Sequence, residues 1–150
     1  MTLKTVELKI PCETGYEKMA MRCASDLAQR MGFTPERILD LETAVAEACL
    51  NAMEHGNHYD GTTRIYVSLT AHADRLAIDV ADEGRDGRPS AADFDLPDIG
   101  AQIDGMLPPG GLGLFVIKAL VDEAEFVPPD LGSGNQFRMV IHLQQKEKSS

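Results

Sequence analysis

The stretch from Thr34 to Glu54 carries two sharply different helical faces, and no other feature limits the fold of this chain so strongly. At about 100° per residue, Ile38, Leu41, Val45, Cys49 and Ala52 fall on one arc. Asp40, Thr43, Glu47, Asn51, Glu54 and His55 fall on the opposite arc. The apolar arc has to be buried against a second layer of structure. The polar arc is less ordinary. A merely solvated face favours good helix formers, and Asn and Thr are poor ones. They cost a little stability with no evident structural return. The helix start is well marked: Thr34 is placed to N-cap it and Pro35 takes the first helical position. Arg37 stands where a capping box would want Glu.

Around this helix the pattern alternates between periods of two and of three to four. Residues 3–10 alternate polar and apolar and read as a strand. Glu13 to Met31 reads as a helix, with Tyr16, Met19, Ala20, Cys23, Leu27 and Met31 at helical steps and Gly32 as its stop. A turn follows at 56–61, then two alternating strands, Arg64 to Thr70 and Arg75 to Asp82, that make a hairpin. Residues 83–109 hold Pro89, Pro97, Pro108 and Pro109, and show little periodicity. A loop of that length is uncommon in a compact domain unless it has a function. Leu112 to Val121 is an apolar helix; Glu125 to Pro128 and Gln136 to Leu143 are strands. The order β-α-α-β-β-loop-α-β-β predicts an α/β fold, a two-layer α/β sandwich with a mixed sheet and helices on one face. The expected organisation is one domain over 1–145 and a disordered polar tail at 146–150.

Composition narrows the function. The chain has 150 residues and a formal net charge of −10, which argues against DNA or RNA, whose partners carry basic patches. No apolar run approaches the roughly 20 residues of a membrane span, so no membrane role is expected. Cys12, Cys23 and Cys49 are scattered and odd in number, as reduced thiols of a cytoplasmic protein would be. Trp is absent and aromatics are few, so the core has to be aliphatic.

The residues with chemistry fall into three groups. Glu47 and Asn51 sit one helical turn apart, about 5–6 Å, and lead into Glu54-His55-Gly56-Asn57. That spacing lets a carboxylate act on a reacting group while an amide oxygen holds a divalent cation. Asp82-Glu83-Gly84 ends a strand, where an acid can read a base. Gly110-Gly111-Leu112-Gly113-Leu114 opens a helix, and a glycine-rich helix start offers free N–H groups to phosphate. Together they read as the parts of a nucleotide pocket.

In this order and at these gaps, the motifs resemble those of the GHKL (Bergerat-fold) ATPases, the group that includes gyrase and the histidine kinases. Within it the resemblance is to the RsbW-type anti-sigma factor serine-protein kinases. Glu47 to Gly56 looks like that family's N-box. Ala81-Asp82-Glu83-Gly84 looks like its first glycine box. Gly110 to Glu123 looks like its second, including the acidic pair Asp122-Glu123 that ends the helix, and the resemblance runs over roughly 3–144. It implies a kinase that binds ATP or ADP with Mg²⁺ between the helices under the long loop as a lid. Glu47 would be the general base and Asn51 the Mg²⁺ ligand. Glu54, His55 and Asn57 would line the same end. Asp82 would accept from the adenine amino group, with Gly84 beside it. Gly110, Gly111, Leu112, Gly113 and Leu114 would cradle the phosphates. The implied partners are a sigma factor and an anti-sigma factor antagonist, in a cytoplasmic homodimer. Two departures stand out. The family pattern Asp-x-Gly-x-Gly becomes Asp82-Glu83-Gly84-Arg85-Asp86-Gly87, which leaves Gly87 as the displaced second glycine. No Lys or Arg lies between Pro89 and Gly113, where some relatives meet the γ-phosphate with a basic residue. The residues therefore leave open an ATP-binding regulator without transfer, the catalytic half of a histidine kinase, and a plain α/β interaction module.

Overall fold

The computed structural model describes residues 3–84, 111–130 and 132–144. Its elements are β1 (Lys4–Pro11), α1 (Glu17–Met31), α2 (Pro35–Asn51), a π-helical turn (Ala52–Gly56), β2 (Arg64–Ala71), β3 (Arg75–Ala81), α3 (Gly111–Leu120), β4 (Glu123–Val127) and β5 (Gln136–His142). The long segment at 85–110, the Gly87 and Gly110 positions and the 146–150 tail lie outside the described residues.

The five strands form one sheet in the order β1-β2-β3-β5-β4. The chain is the two-layer α/β sandwich that its element order implies. Its strand pairs differ in one respect from the mixed sheet expected: all of those described are antiparallel. The reason is that β4 doubles back as a neighbour of β5 alone, so no strand returns beside one of its own direction. One face is apolar and buried: Ile65, Val67 and Leu69 on β2, Leu76, Ile78 and Val80 on β3, Met139 and Ile141 on β5. The other face is polar. A row across it runs Glu7, Ser68, Asp79, Arg138, Glu125. At its centre Arg138 donates to Asp79 through Nε at 2.8 Å and Nη2 at 3.1 Å.

On the buried face, α2 contributes Ile38, Leu41, Ala44, Val45, Ala48 and Cys49 to the core, and α3 contributes Leu114 and Ile117. Each large aliphatic side chain buried this way stabilises the fold by about 1.5–3 kcal/mol relative to exposure. The Thr34 cap forms as expected, its Oγ1 accepting from Arg37 N at 3.3 Å. α1 differs from expectation in two ways. It begins at Glu17, because Gly15 adopts φ +112° and holds residues 13–16 in a turn. Its buried stripe is Ala20, Ala24 and Ala28, while Met19 is 55% exposed. Alanines let α1 approach its neighbours closely, and the longer side chains lie to either side. It stops at Gly32, which takes φ +94° and donates back to Ala28 and Gln29. No helix among the described residues is long and apolar enough to cross a membrane.

Candidate functional site

α2 does not run on as an α-helix to Glu54. After Asn51 it widens into the π turn Ala52–Gly56, a form often found at functional sites. Its last residue, Gly56, comes directly against Asp82 at the end of β3, and a Cβ at Gly56 would overlap the Asp82 carboxylate. On the other side is Gly134, in the turn before β5. With φ +83°, it leaves no room for a side chain: a Cβ there would lie 2.5 Å from Asp82 Oδ1. Asp82 is 2% exposed. Its Oδ1 accepts from Asn135 N at 3.0 Å, and its own N–H donates to Asn135 O at 3.1 Å. Asn57 fixes the chain on either side of this contact. It is fully buried, donates through Nδ2 to Arg64 O and accepts through Oδ1 from Glu83 N, both at 3.0 Å.

Asp82 lines a small pocket that opens to the surface. Its walls are apolar, from Ala48, Ala52, Val80, Leu114, Phe126 and Phe137. The two phenylalanines pack edge to face, with centroids 5.0 Å apart. Its polar groups are Asp82, Asn51 and Asn135. Apolar walls with a few convergent polar groups are the usual make-up of a small-molecule site. The Nδ2 atoms of Asn51 and Asn135 are buried and have no hydrogen-bond partner among the described residues. An orphaned buried donor is costly, so each is a position where a ligand acceptor would relieve the cost. The sequence marks no role for Phe126 or Phe137. Gly132-Ser133-Gly134-Asn135 before the last strand matches the final glycine-containing turn of the family it resembles, and reads equally well as a plain turn.

Glu47 and Asn51 project from α2 toward the first turn of α3. Gly113 lies inside that turn, since α3 begins at Gly111, one residue before the expected start at Leu112. A Cβ on Gly113 would stand 2.9 Å from Glu47 Oε2 and 3.0 Å from Asn51 Nδ2. The missing side chain therefore lets backbone, carboxylate and amide meet at one point. The first N–H groups of α3 have no helical carbonyl to bond and carry the positive end of the helix dipole. Leu114, the next residue, is buried and lines the pocket beside Asp82. For a cation, Asn51 is the suitable donor. Among the described residues no three His, Cys, Asp or Glu side chains converge. One amide oxygen fits Mg²⁺, which takes few protein ligands and completes its shell with water and phosphate oxygens.

Glu54 and His55 lie on the π turn, with His55 Nε2 3.5 Å from Glu54 Oε2. Burial lowers the His55 pKa; Glu54 opposes that shift and His58 adds to it. His58 and Tyr59 follow in left-handed backbone, φ 51° and 56°, an arrangement that costs energy in non-glycine residues. Tyr59 N donates to Met53 O at 2.7 Å and closes the loop. Gly84, with φ +74°, turns the chain away just after Asp82. Cys49, deep in the core, has its thiol pushed up to about 12 by burial and takes no part.

The family model for the histidine kinase-like ATPase domain matches residues 10–141. The serine-protein kinase RsbW of Bacillus subtilis strain 168 is 36% identical over 124 residues, 79% of this chain and 74% of that protein. RsbW of Bacillus pumilus is 38% identical over 127 residues, covering 83% and 78%. RsbW of Halalkalibacterium halodurans is 33% identical over 149 residues, covering 96% and 86%. The crystal structure of the RsbU and RsbW domains of a Mycobacterium tuberculosis protein superposes with a TM-score of 0.65 at 17% identity, over 95% of this chain and 33% of that one, a likeness of fold. By the match along its length and the kinship with these enzymes, the chain belongs to the histidine kinase-like ATPase family and, within it, to the RsbW serine-protein kinases.

Proposed function

We propose that the chain transfers the γ-phosphoryl group of ATP to a serine hydroxyl of a small anti-sigma factor antagonist, and that it sequesters a sigma factor when not so engaged. The observation that carries this reading is the approach of Gly113 to Glu47 and Asn51, which gathers a carboxylate, an amide and a helix N-terminus at one point. In the cavity, Asp82 accepts from the adenine amino group, and Asn135 Nδ2 donates to a ring nitrogen. The phosphates then run toward the N–H groups of α3. The substrate Oγ attacks the γ-phosphorus, and the bond from that phosphorus to the bridging oxygen breaks. ADP departs with the electron pair, and Glu47 takes the hydroxyl proton. Bound through Asn51, Mg²⁺ would neutralise charge on the phosphate oxygens. With no Lys or Arg between Pro89 and Gly113, the helix N-terminus carries more of that task, together with Arg85, Arg88 or a partner's residue. The protein would work in the cytoplasm as a homodimer.

The alternative, an ATP-binding regulator without transfer, rests on those missing basic residues and on Asp86. It leaves unexplained why a carboxylate is kept against the α3 first turn. Incubating the protein with γ-labelled ATP, Mg²⁺ and its antagonist separates the two. Label on a serine of the antagonist is expected. ATP binding with no transfer to the genuine antagonist would leave the regulator.

A further inference from the structure

Arg37 breaks a local rule. It occupies the third residue of α2, where a helix favours acids and where the dipole repels a cation. The structure shows where its compensation comes from. Arg37 Nη2 donates to Asp122 Oδ2 at 2.7 Å and to the His142 carbonyl at 3.1 Å. The same Asp122 oxygen accepts from His142 N at 2.7 Å, and Asp122 N donates to Val140 O at 3.0 Å. Asp122 lies two residues past the end of α3 at Leu120. The two side chains are only 12% and 26% exposed, so solvent screens them incompletely.

The two helices run antiparallel. The start of α2 meets the end of α3 at Arg37 and Asp122, and the later part of α2 meets the start of α3 at Gly113. Between these points the contact is apolar, from residues such as Ala48, Leu114 and Ile117. Apolar contact is non-directional and says little about how far one helix has slid along the other. The ion pair is directional. At a rise of about 1.5 Å per residue, it lies roughly 15–20 Å along α2 from Glu47 and Asn51.

We propose that Arg37 and Asp122 are positioning residues that fix the axial register of α3 on α2, and so hold the phosphate-binding turn at Gly113 against Glu47 and Asn51. This rests on the nucleotide reading above and adds a determinant remote from the site. Asp82 and Asn135, which read the base, belong to the sheet side, and α3 reaches that pocket through the apolar Leu114, so the base end depends on the register less than the Gly113 turn does. Loss of the pair should therefore cost more affinity for the phosphates than for adenosine.

The test compares binding of adenosine with binding of a non-hydrolysable Mg-ATP analogue, by calorimetry well below the melting temperature. Arg37→Met keeps the aliphatic stem and removes the charge. It is expected to lower the ratio of analogue to adenosine affinity about 10-fold, since small misplacements at a distance are costly in such sites. Arg37→Lys should recover part of that ratio, because its ammonium keeps a charge for Asp122 but is more strongly hydrated and more flexibly held than the planar guanidinium. Asp122→Asn, which can still accept from His142 N, should show the same split. An unchanged ratio in Arg37→Met with a lowered melting temperature would make the pair a simple staple and overturn the proposal. So would an equal loss for both ligands. Wild-type protein that binds neither ligand would overturn the nucleotide reading itself, and this inference with it.

Discussion

The two ends of the pocket are built in opposite ways. Around Asp82 almost everything is backbone or is bonded to backbone. Gly56 and Gly134 press on the carboxylate from either side, Asn135 is paired with it through main-chain bonds, and Asn57 ties down Glu83 and Arg64. Around Gly113 the groups are side-chain ends: Glu47 and Asn51 come up against the helix, and Asn51 Nδ2 has no partner among the described residues. The first end holds its carboxylate fixed, which suits the rigid base proposed for it. The second keeps its polar groups uncommitted, which suits phosphates, a cation and a hydroxyl that change during transfer. The π turn joins the two. It carries the helix from Asn51, in the second end, to Gly56, in the first.

Replacing the acid tests the second end most severely. Glu47→Gln keeps size and hydrogen-bonding capacity but cannot take a proton. Transfer to the antagonist should fall at least about 100-fold, the low end for loss of general base catalysis, while Mg-ADP still binds. Loss of nucleotide binding in this variant would mean that Glu47 shapes the pocket and is not its base.

The same substitution at two glycines separates the ends directly. In Gly56→Ala the new methyl overlaps the Asp82 carboxylate, and Asp82 cannot withdraw because Gly134 and Asn135 hold its other side. Overpacking of this kind costs about 1–3 kcal/mol, and adenine affinity should go with it. In Gly113→Ala the methyl meets only the ends of two side chains, which can swing aside. Ala is also a better helix residue than Gly by about 1 kcal/mol. Stability should therefore hold or rise, while phosphoryl transfer falls. Equal destabilisation by the two variants, measured by thermal melts without ligand, would remove the contrast between a fixed end and an adaptable one.

Much of this was legible in the sequence, and the boundary follows the range of the interactions. The α2 faces, its Thr34 cap and the β2–β3 hairpin follow from local periodicity and turn chemistry, and each stands where the pattern put it. Glu47, Asn51 and the glycines of α3 could be singled out as chemical groups, and the structure brings Glu47, Asn51 and Gly113 together. The rest depends on partners far away in the chain. No propensity marks the π turn. The alanine stripe of α1 is chosen by what packs on it, so the larger Met19 misled the reading of that helix. The sheet's antiparallel closure depends on which strand β4 joins. The reason for Gly56 is Asp82, 26 residues on, and the reason for Arg37 is Asp122, 85 residues on.

The smallest expected effect concerns the turn between the two ends. Burial holds the His55 pKa below its ordinary value; Glu54 pulls the other way and His58 adds to the depression. The native fold therefore favours neutral His55. As pH falls through about 6.5, the unfolded chain takes up a proton that the native state resists, so the unfolded state binds more protons and stability declines. Above that pH His55 contributes no slope. A plot of melting temperature against pH should fall from about pH 7 toward 5.5, before most carboxylates titrate. The comparison with His55→Gln isolates the residue, and the variant should be flatter over that window. The sign is the informative part. If the attraction to Glu54 outweighed burial, the native state would prefer the charged imidazole and wild type would gain on the variant as pH fell. A rise of that kind would mean that the turn is more open to water than its packing against Asp82 implies, and that the base end is less fixed than its hydrogen bonds suggest.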